Sequence, residues 1–232
     1  MVILFQYHLY RCFRNLSWRV VEVLENNGQG LNLTYEVRDG ILKHSKGFGK
    51  IISEDPDEMA CTYEGRIVRI ADIMAYLNHD LEDAIRSQVV RASQVPPVCI
   101  KILGQSHSER ATVMIRDLIS TSEVHDGELR LQMTDDVYSA MNELRQFLYE
   151  NVYRSAKVHK DFEKAKKILS ELYSYFLEND HILDQKLTEL KMDRCYNRNH
   201  SKELTVCDVI ASMTDRYALN LYKKIFFPSP LV

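Results

Sequence analysis

Paired-cysteine spacings, long apolar runs and a surplus of one charge are all missing from this chain of 232 residues. Its five cysteines (Cys12, Cys61, Cys99, Cys195 and Cys207) are odd in number and scattered, with no Cys-x-x-Cys spacing. That excludes a disulfide framework and a structural zinc site, and it suits a reducing cytoplasm. No apolar stretch approaches the ~18 residues of a membrane span. Met1–Phe5 is too short for the core of a signal peptide. A net charge of −3 leaves no broad cationic footprint, so nucleic acid and anionic membrane are not the expected partners. The remaining composition, 45% hydrophobic and 27% charged, is that of a globular protein whose length most simply makes one domain.

What is present is helical period. The most informative stretch, residues 62–86, predicts one long helix with Thr62 as its N-cap. Ile67, Ile70, Met74, Leu77, Leu81 and Ala84 recur at three- and four-residue steps and form an apolar seam. Asp72, Tyr76, His79, Asp80 and Asp83 fall within roughly 100° of one another on the opposite side. Three acids, an imidazole and a phenol on one stripe make a candidate site wall. A plain solvated face has the same composition.

Spacing limits that wall. A rise of ~1.5 Å per residue separates Asp72 from His79 by roughly 10 Å and from Asp80 by roughly 12 Å along the axis. Metal ligands must all approach within about 2.0–2.6 Å of one ion. The helix alone therefore cannot chelate one ion through Asp72 and either later residue. It can offer carboxylates to two parts of an elongated substrate.

Elsewhere the pattern predicts helices over about 15–26, 34–44, 106–120, 135–154, 160–178 and 205–226. Asn26-Asn27-Gly28 ends the first, with Leu16, Val20, Val21 and Leu24 inward. Ser106 and Glu109 form a capping box for the third. Val137, Met141, Leu144, Leu148 and Val152, then Phe162, Ala165, Leu169, Leu172 and Phe176, mark the inward faces of the next two. Pro96-Pro97 closes the stretch after the long helix. Residues 45–60 are a loop in which Gly47-Phe48-Gly49 lacks the strand and further glycine of a phosphate loop. Asp126-Gly127 is turn chemistry, and Leu129–Met133 is the best strand candidate. The basic stretch 186–203 is expected to be a surface connection. The expected fold class is all-α, with at most one short strand or hairpin.

Several blocks in one order carry a resemblance. They are Gly30–His44, Glu64–Ala84, His107-Ser108-Glu109-Arg110, Asp117–Thr121, Ala140–Arg145 and Val206–Ala218. Over most of residues 17–228 the chain resembles the C-terminal two thirds of HD-domain deoxynucleoside triphosphate triphosphohydrolases, the dGTPase-like enzymes. The resemblance implies an HD-domain-like helical bundle. It implies hydrolysis of a deoxynucleoside triphosphate to deoxynucleoside and tripolyphosphate, with a divalent metal, Mn²⁺ or Mg²⁺. By the same resemblance Asp72 stands at the position of the last metal ligand, and Tyr76 and Asp80 at positions that contact the deoxyribose. Lys43 and Arg110 are candidate phosphate contacts; Arg110 equally suits a structural ion pair. Homo-oligomers are common in such a family.

The chain departs from the family pattern upstream. The family's other ligands, a histidine and a consecutive His-Asp pair, precede the segment matched from residue 17. Residues 1–16 match nothing expected there. Of the eight histidines only His79 and His125 precede an aspartate. The first pair falls on the sugar-contact segment and the second in a turn, so neither replaces the missing ligands. His44 reads as a helix-end cap. Residues 17–232 are therefore expected to form one truncated or frame-shifted helical domain, inactive alone. Three function classes follow: an enzyme completed by a separate N-terminal chain, a non-catalytic nucleotide-binding or oligomerisation module, or the remnant of a disrupted gene.

Overall fold

Helical periodicity becomes helical structure over most of the chain. The computed structural model describes residues 16–45, 49–192 and 201–228. In chain order the elements are α1 (Leu16–Arg19), α2 (Tyr35–Lys43), α3 (Tyr63–Arg86), α4 (Pro97–Leu103), α5 (His107–Thr121), β1 (Glu123–His125) and β2 (Glu128–Arg130). They continue with α6 (Asp135–Leu148), α7 (Ala156–Glu178), α8 (Asp180–Glu189), α9 (Lys202–Ala211) and α10 (Asp215–Phe226). Wider π turns, Val20–Leu24 and Tyr149–Tyr153, extend α1 and α6. The fold class is all-α; among the described residues the only strands are the two arms of one antiparallel hairpin.

That hairpin turns on Asp126 and Gly127, whose φ angles of 52° and 80° are the left-handed pair a two-residue turn demands. The strand expected over Leu129–Met133 is shorter and shifted. Only Glu128–Arg130 has a partner arm, and residues beyond it have no ladder to join. Asn26 and Asn27 likewise adopt left-handed φ of 55° and 53°, ending the first helix where their chemistry predicts. The glycines of Gly47-Phe48-Gly49 cannot be compared as a set, because residues 46–48 lie outside the described ones.

Two compact units divide the chain: residues 39–161 in one, residues 1–38 with 162–232 in the other. In the first unit, Ile70, Met74, Leu77 and Leu81 of α3 share a core with Leu103 of α4, Met114 of α5, and Met141, Leu144 and Leu148 of α6. Val137 and Val152 are buried there as well, as their spacing predicts. One edge of the seam is corrected: Ile67 is 40% exposed, while Ile73 is buried. The two lie about 60° to either side of Ile70 on the helical wheel. Periodicity locates the centre of a buried arc, and the neighbouring helices decide how far it extends on each side.

Local chemistry sets the helix starts. The Thr62 hydroxyl accepts from the Gly65 amide at 3.1 Å and opens α3. Ser106 and Glu109 form the predicted capping box of α5. Pro96-Pro97 behaves differently from expectation: Pro97 begins α4. A proline at the first helical position has its φ preset and loses only an amide that would be unpaired anyway.

In the second unit, Leu172 and Phe176 of α7, Leu183 and Leu187 of α8, and Val206, Val209 and Ile210 of α9 form the core. Val23 and Leu24 pack against it. Arg19 donates from Nε to Asp208 Oδ1 at 2.7 Å and from Nη2 to Oδ2, a bidentate pair with both partners buried. Three expectations change. The inward face of α7 begins later, since Phe162 is 64% exposed and Ala165 is exposed too. Part of the presumed connection over 186–203 is helix, because Leu183 and Leu187, four residues apart, are both buried; residues 193–200 lie outside the described ones. The final helix is two, broken where the Thr214 hydroxyl accepts from the Tyr217 amide at 3.3 Å and caps α10.

Candidate functional site

The polar stripe of α3 lies within the unit of residues 39–161. Asp72, His79 and Asp83 are exposed, Tyr76 and Asp80 half-buried. The Tyr153 hydroxyl donates to Asp80 Oδ2. Tyr153 closes the π turn after α6, where an extra residue per turn re-aims side chains relative to the helix before it. Arg145 of α6 is buried; it donates from Nη1 to the Gly49 carbonyl at 2.7 Å, and its guanidinium also bonds the Tyr76 hydroxyl.

Electrostatics ties these groups together. Burial is the main reason the Tyr76 phenol is held above its ordinary pKa; Asp72 and Asp80 push the same way and Arg145 opposes them. Burial again raises the Tyr153 phenol, reinforced by its hydrogen bond to Asp80 and by the charge on that carboxylate. Both phenols are therefore neutral donors near neutral pH. The wall offers carboxylates at Asp72 and Asp80, two phenol rings and one guanidinium. A ligand suited to it has hydroxyl donors and a flat or sugar-like body.

Two other candidate residues are placed elsewhere. Lys43 pairs with Asp39 at 2.9 Å and donates to the Met59 carbonyl at 2.9 Å. It lines a recess of about 460 Å³ with Ile51, Met59, Arg66, Arg69 and Leu131. Arg110 is buried, donating to Asn78 Oδ1 at 3.0 Å, the Gln105 carbonyl at 2.8 Å and Glu82 Oε1 at 3.0 Å. It braces α5 against α3. Neither cation is among the groups acting on Tyr76 or Tyr153.

The implied metal ion can be tested against the donors in place. Among the described residues no three His, Cys, Asp or Glu side chains converge. His44 sits at a helix end with Nδ1 2.7 Å from the Ile41 carbonyl, and His125 is exposed beside Asp126 in the hairpin turn. His8 and His200 lie outside the described residues. Asp72 with these surroundings does not fit an ion that needs three or four converging ligands.

Relatives of known family supply the context. The model of the phosphohydrolase-associated domain matches residues 131–224. A deoxyguanosinetriphosphate triphosphohydrolase-like protein of Desulfatibacillum aliphaticivorans is 53% identical over 216 residues, covering 93% of this chain. The chain belongs to the dGTPase-like HD-domain family. Similarly named proteins of Caldanaerobacter subterraneus and Clostridium perfringens are 44% and 36% identical over 92% and 91% of this chain. The chain spans 62%, 58% and 59% of the lengths of these three relatives.

Family resemblance alone leads to three residues of α3. Tyr153 and Arg145, which meet that stripe, are not among the residues the resemblance points to, though Arg145 ends one of the matched blocks. Their signal was faint: Arg145, Tyr149 and Tyr153 recur at four-residue steps, a spacing shared by any groove or core face. Nothing local says that the last of them reaches α3.

Proposed function

We propose that the wall formed by Asp72, Tyr76 and Asp80 with Tyr153 and Arg145 is a deoxynucleoside triphosphate site of the kind this family uses to release deoxynucleoside and tripolyphosphate. The observation that carries the reading is the Tyr153–Asp80 hydrogen bond beside Tyr76. It holds one carboxylate oxygen and leaves the other to accept from a sugar hydroxyl. Tyr76 packs against the sugar, and Arg145 supplies positive charge for phosphate. Asp72, two helical turns before Asp80, contributes a carboxylate at the phosphate end. Lys43 and Arg110 keep structural roles in this reading, Lys43 on its recess and Arg110 as a brace.

The Asp72 carboxylate by itself does not grip a divalent ion, so this chain alone binds nucleotide without hydrolysing it. Hydrolysis requires ligands from residues outside the described ones or from a complementing chain carrying histidine and His-Asp. A metal so completed would polarise the α-phosphate and activate water. The experiment is dGTP binding followed by thermal shift, together with tripolyphosphate release in Mn²⁺ or Mg²⁺. Stabilisation by dGTP that is lost in Asp80→Asn, with no release above background, is the expected result. Metal-dependent release by the purified chain, abolished by Asp72→Ala, would overturn the inactivity. No shift with any deoxynucleotide would overturn the site.

A further inference from the structure

The recess that Lys43 lines has no part in the proposed nucleotide wall: none of Asp72, Tyr76, Asp80, Arg145 and Tyr153 borders it. At about 460 Å³ it has the size of a small-molecule site. Its apolar lining comes from the buried Ile51 and Ile70 and from Met59, Leu129 and Leu131. Residues 128–132 all border it. Side chains alternate between the faces of a strand, so five neighbours in a row mean that the second arm of the hairpin runs along the rim.

Most of the charge at the recess is settled within the protein. Lys43 pairs with Asp39 at 2.9 Å, Arg69 with Glu58 at 3.3 Å, and Glu54 with Lys50 at 3.9 Å. Two guanidinium groups are not settled this way. Arg66 donates from Nε to the Ala60 carbonyl at 2.8 Å and lies over the Tyr63 ring, 5.1 Å from its centroid. Those contacts hold the guanidinium, and neither of its Nη groups has a partner among the described residues. Arg130 is exposed, and its side chain makes no hydrogen bond or ion pair among the described residues. Glu128 is the one lining carboxylate without a cation among them. Two cations against one carboxylate leave positive charge over.

We propose that this recess binds a small amphipathic oxyanion, a carboxylate or phosphate monoester on a flat or apolar body. A guanidinium held in place by its Nε and its ring contact presents two parallel N–H donors to such a group. The apolar lining takes the body out of water. Arg130 supplies the second charge. Glu128 repels a further negative group, so one oxyanion fits better than a polyphosphate. The proposal does not depend on nucleotide binding at the wall.

The test is fluorescence titration of the full chain with anilinonaphthalene sulfonate, a flat apolar anion that brightens when it leaves water. One saturable site is expected, weakened about tenfold in Arg66→Gln and in Arg130→Gln and unchanged in the exposed Arg116→Gln. Competition by naphthoate and by naphthyl phosphate tells a carboxylate from a phosphate monoester; displacement by neither would overturn the proposal. Uncharged phenylnaphthylamine should bind more weakly than the sulfonate. Equal binding, or full affinity in both arginine variants, would leave an apolar hollow without anion recognition and overturn it. Displacement by dGTP would put the dye on the nucleotide wall and overturn it too. Should circular dichroism show that Arg66→Gln fails to fold, the exposed Arg130→Gln variant decides alone.

Discussion

Two polar networks in this chain contrast a structural pair with the proposed binding wall. Arg19 and Asp208 face each other in a two-armed pair with both side chains buried, and the carboxylate has both oxygens engaged. Asp80 and Tyr153 are joined by one arm only, at a half-exposed edge with Tyr76 and Arg145 close by. In the first network both partners are buried, so breaking it removes a buried ion pair. The second retains acceptor capacity facing outward. Residue types barely differ between them. Burial and the number of hydrogen bonds already satisfied separate the two roles.

The sharpest way to break the comparison is to cut each network once. Asp208→Ala should cost about 3–5 kcal/mol, because it removes the carboxylate paired with the buried Arg19. Denaturant unfolding measures it, and a loss below 1 kcal/mol would show that the pair is wetter than its burial implies. Leu144→Ala, in a core position with 0% exposure, should cost about 2–5 kcal/mol by cavity formation. Ser106→Ala removes one arm of the α5 capping box and should cost about 1 kcal/mol.

Tyr153→Phe belongs at the small end for stability and should leave the melting temperature nearly unchanged. The nucleotide-dependent shift should fall instead, since Asp80 loses its orienting donor. pH sharpens the same contrast. Folding raises the Tyr153 pKa, so the folded state holds its proton longer than the unfolded chain does. Its contribution is fully present below the ordinary tyrosine value near pH 10 and is lost as pH climbs above it. An alkaline unfolding series should therefore slope less in Tyr153→Phe than in the parent chain.

The sequence was most legible where chemistry is local. Capping at Thr62 and Ser106, the left-handed turns at Asn26-Asn27 and Asp126-Gly127, and the centre of the α3 seam each depend on a few neighbouring residues. Reading failed where a distant partner decided. Ile67 and Ile73 are chemically alike and differ only in which flank of α3 is covered. Phe162 fits an inward stripe by period and is nevertheless exposed. The overlooked starts of α4 and α10 had local signals, a proline at the first helical position and a threonine cap.

The sequence by itself determined the all-α class, the family and the polar stripe of α3, because helical period and ordered motif blocks are properties of neighbours along a chain. Only the tertiary structure decided that Tyr153 reaches Asp80, that Arg110 is consumed as a brace, and that His79 meets His107. Those meetings join residues 73, 32 and 28 positions apart. Packing of whole helices fixes such distances, and no short window of sequence contains the helices that do it.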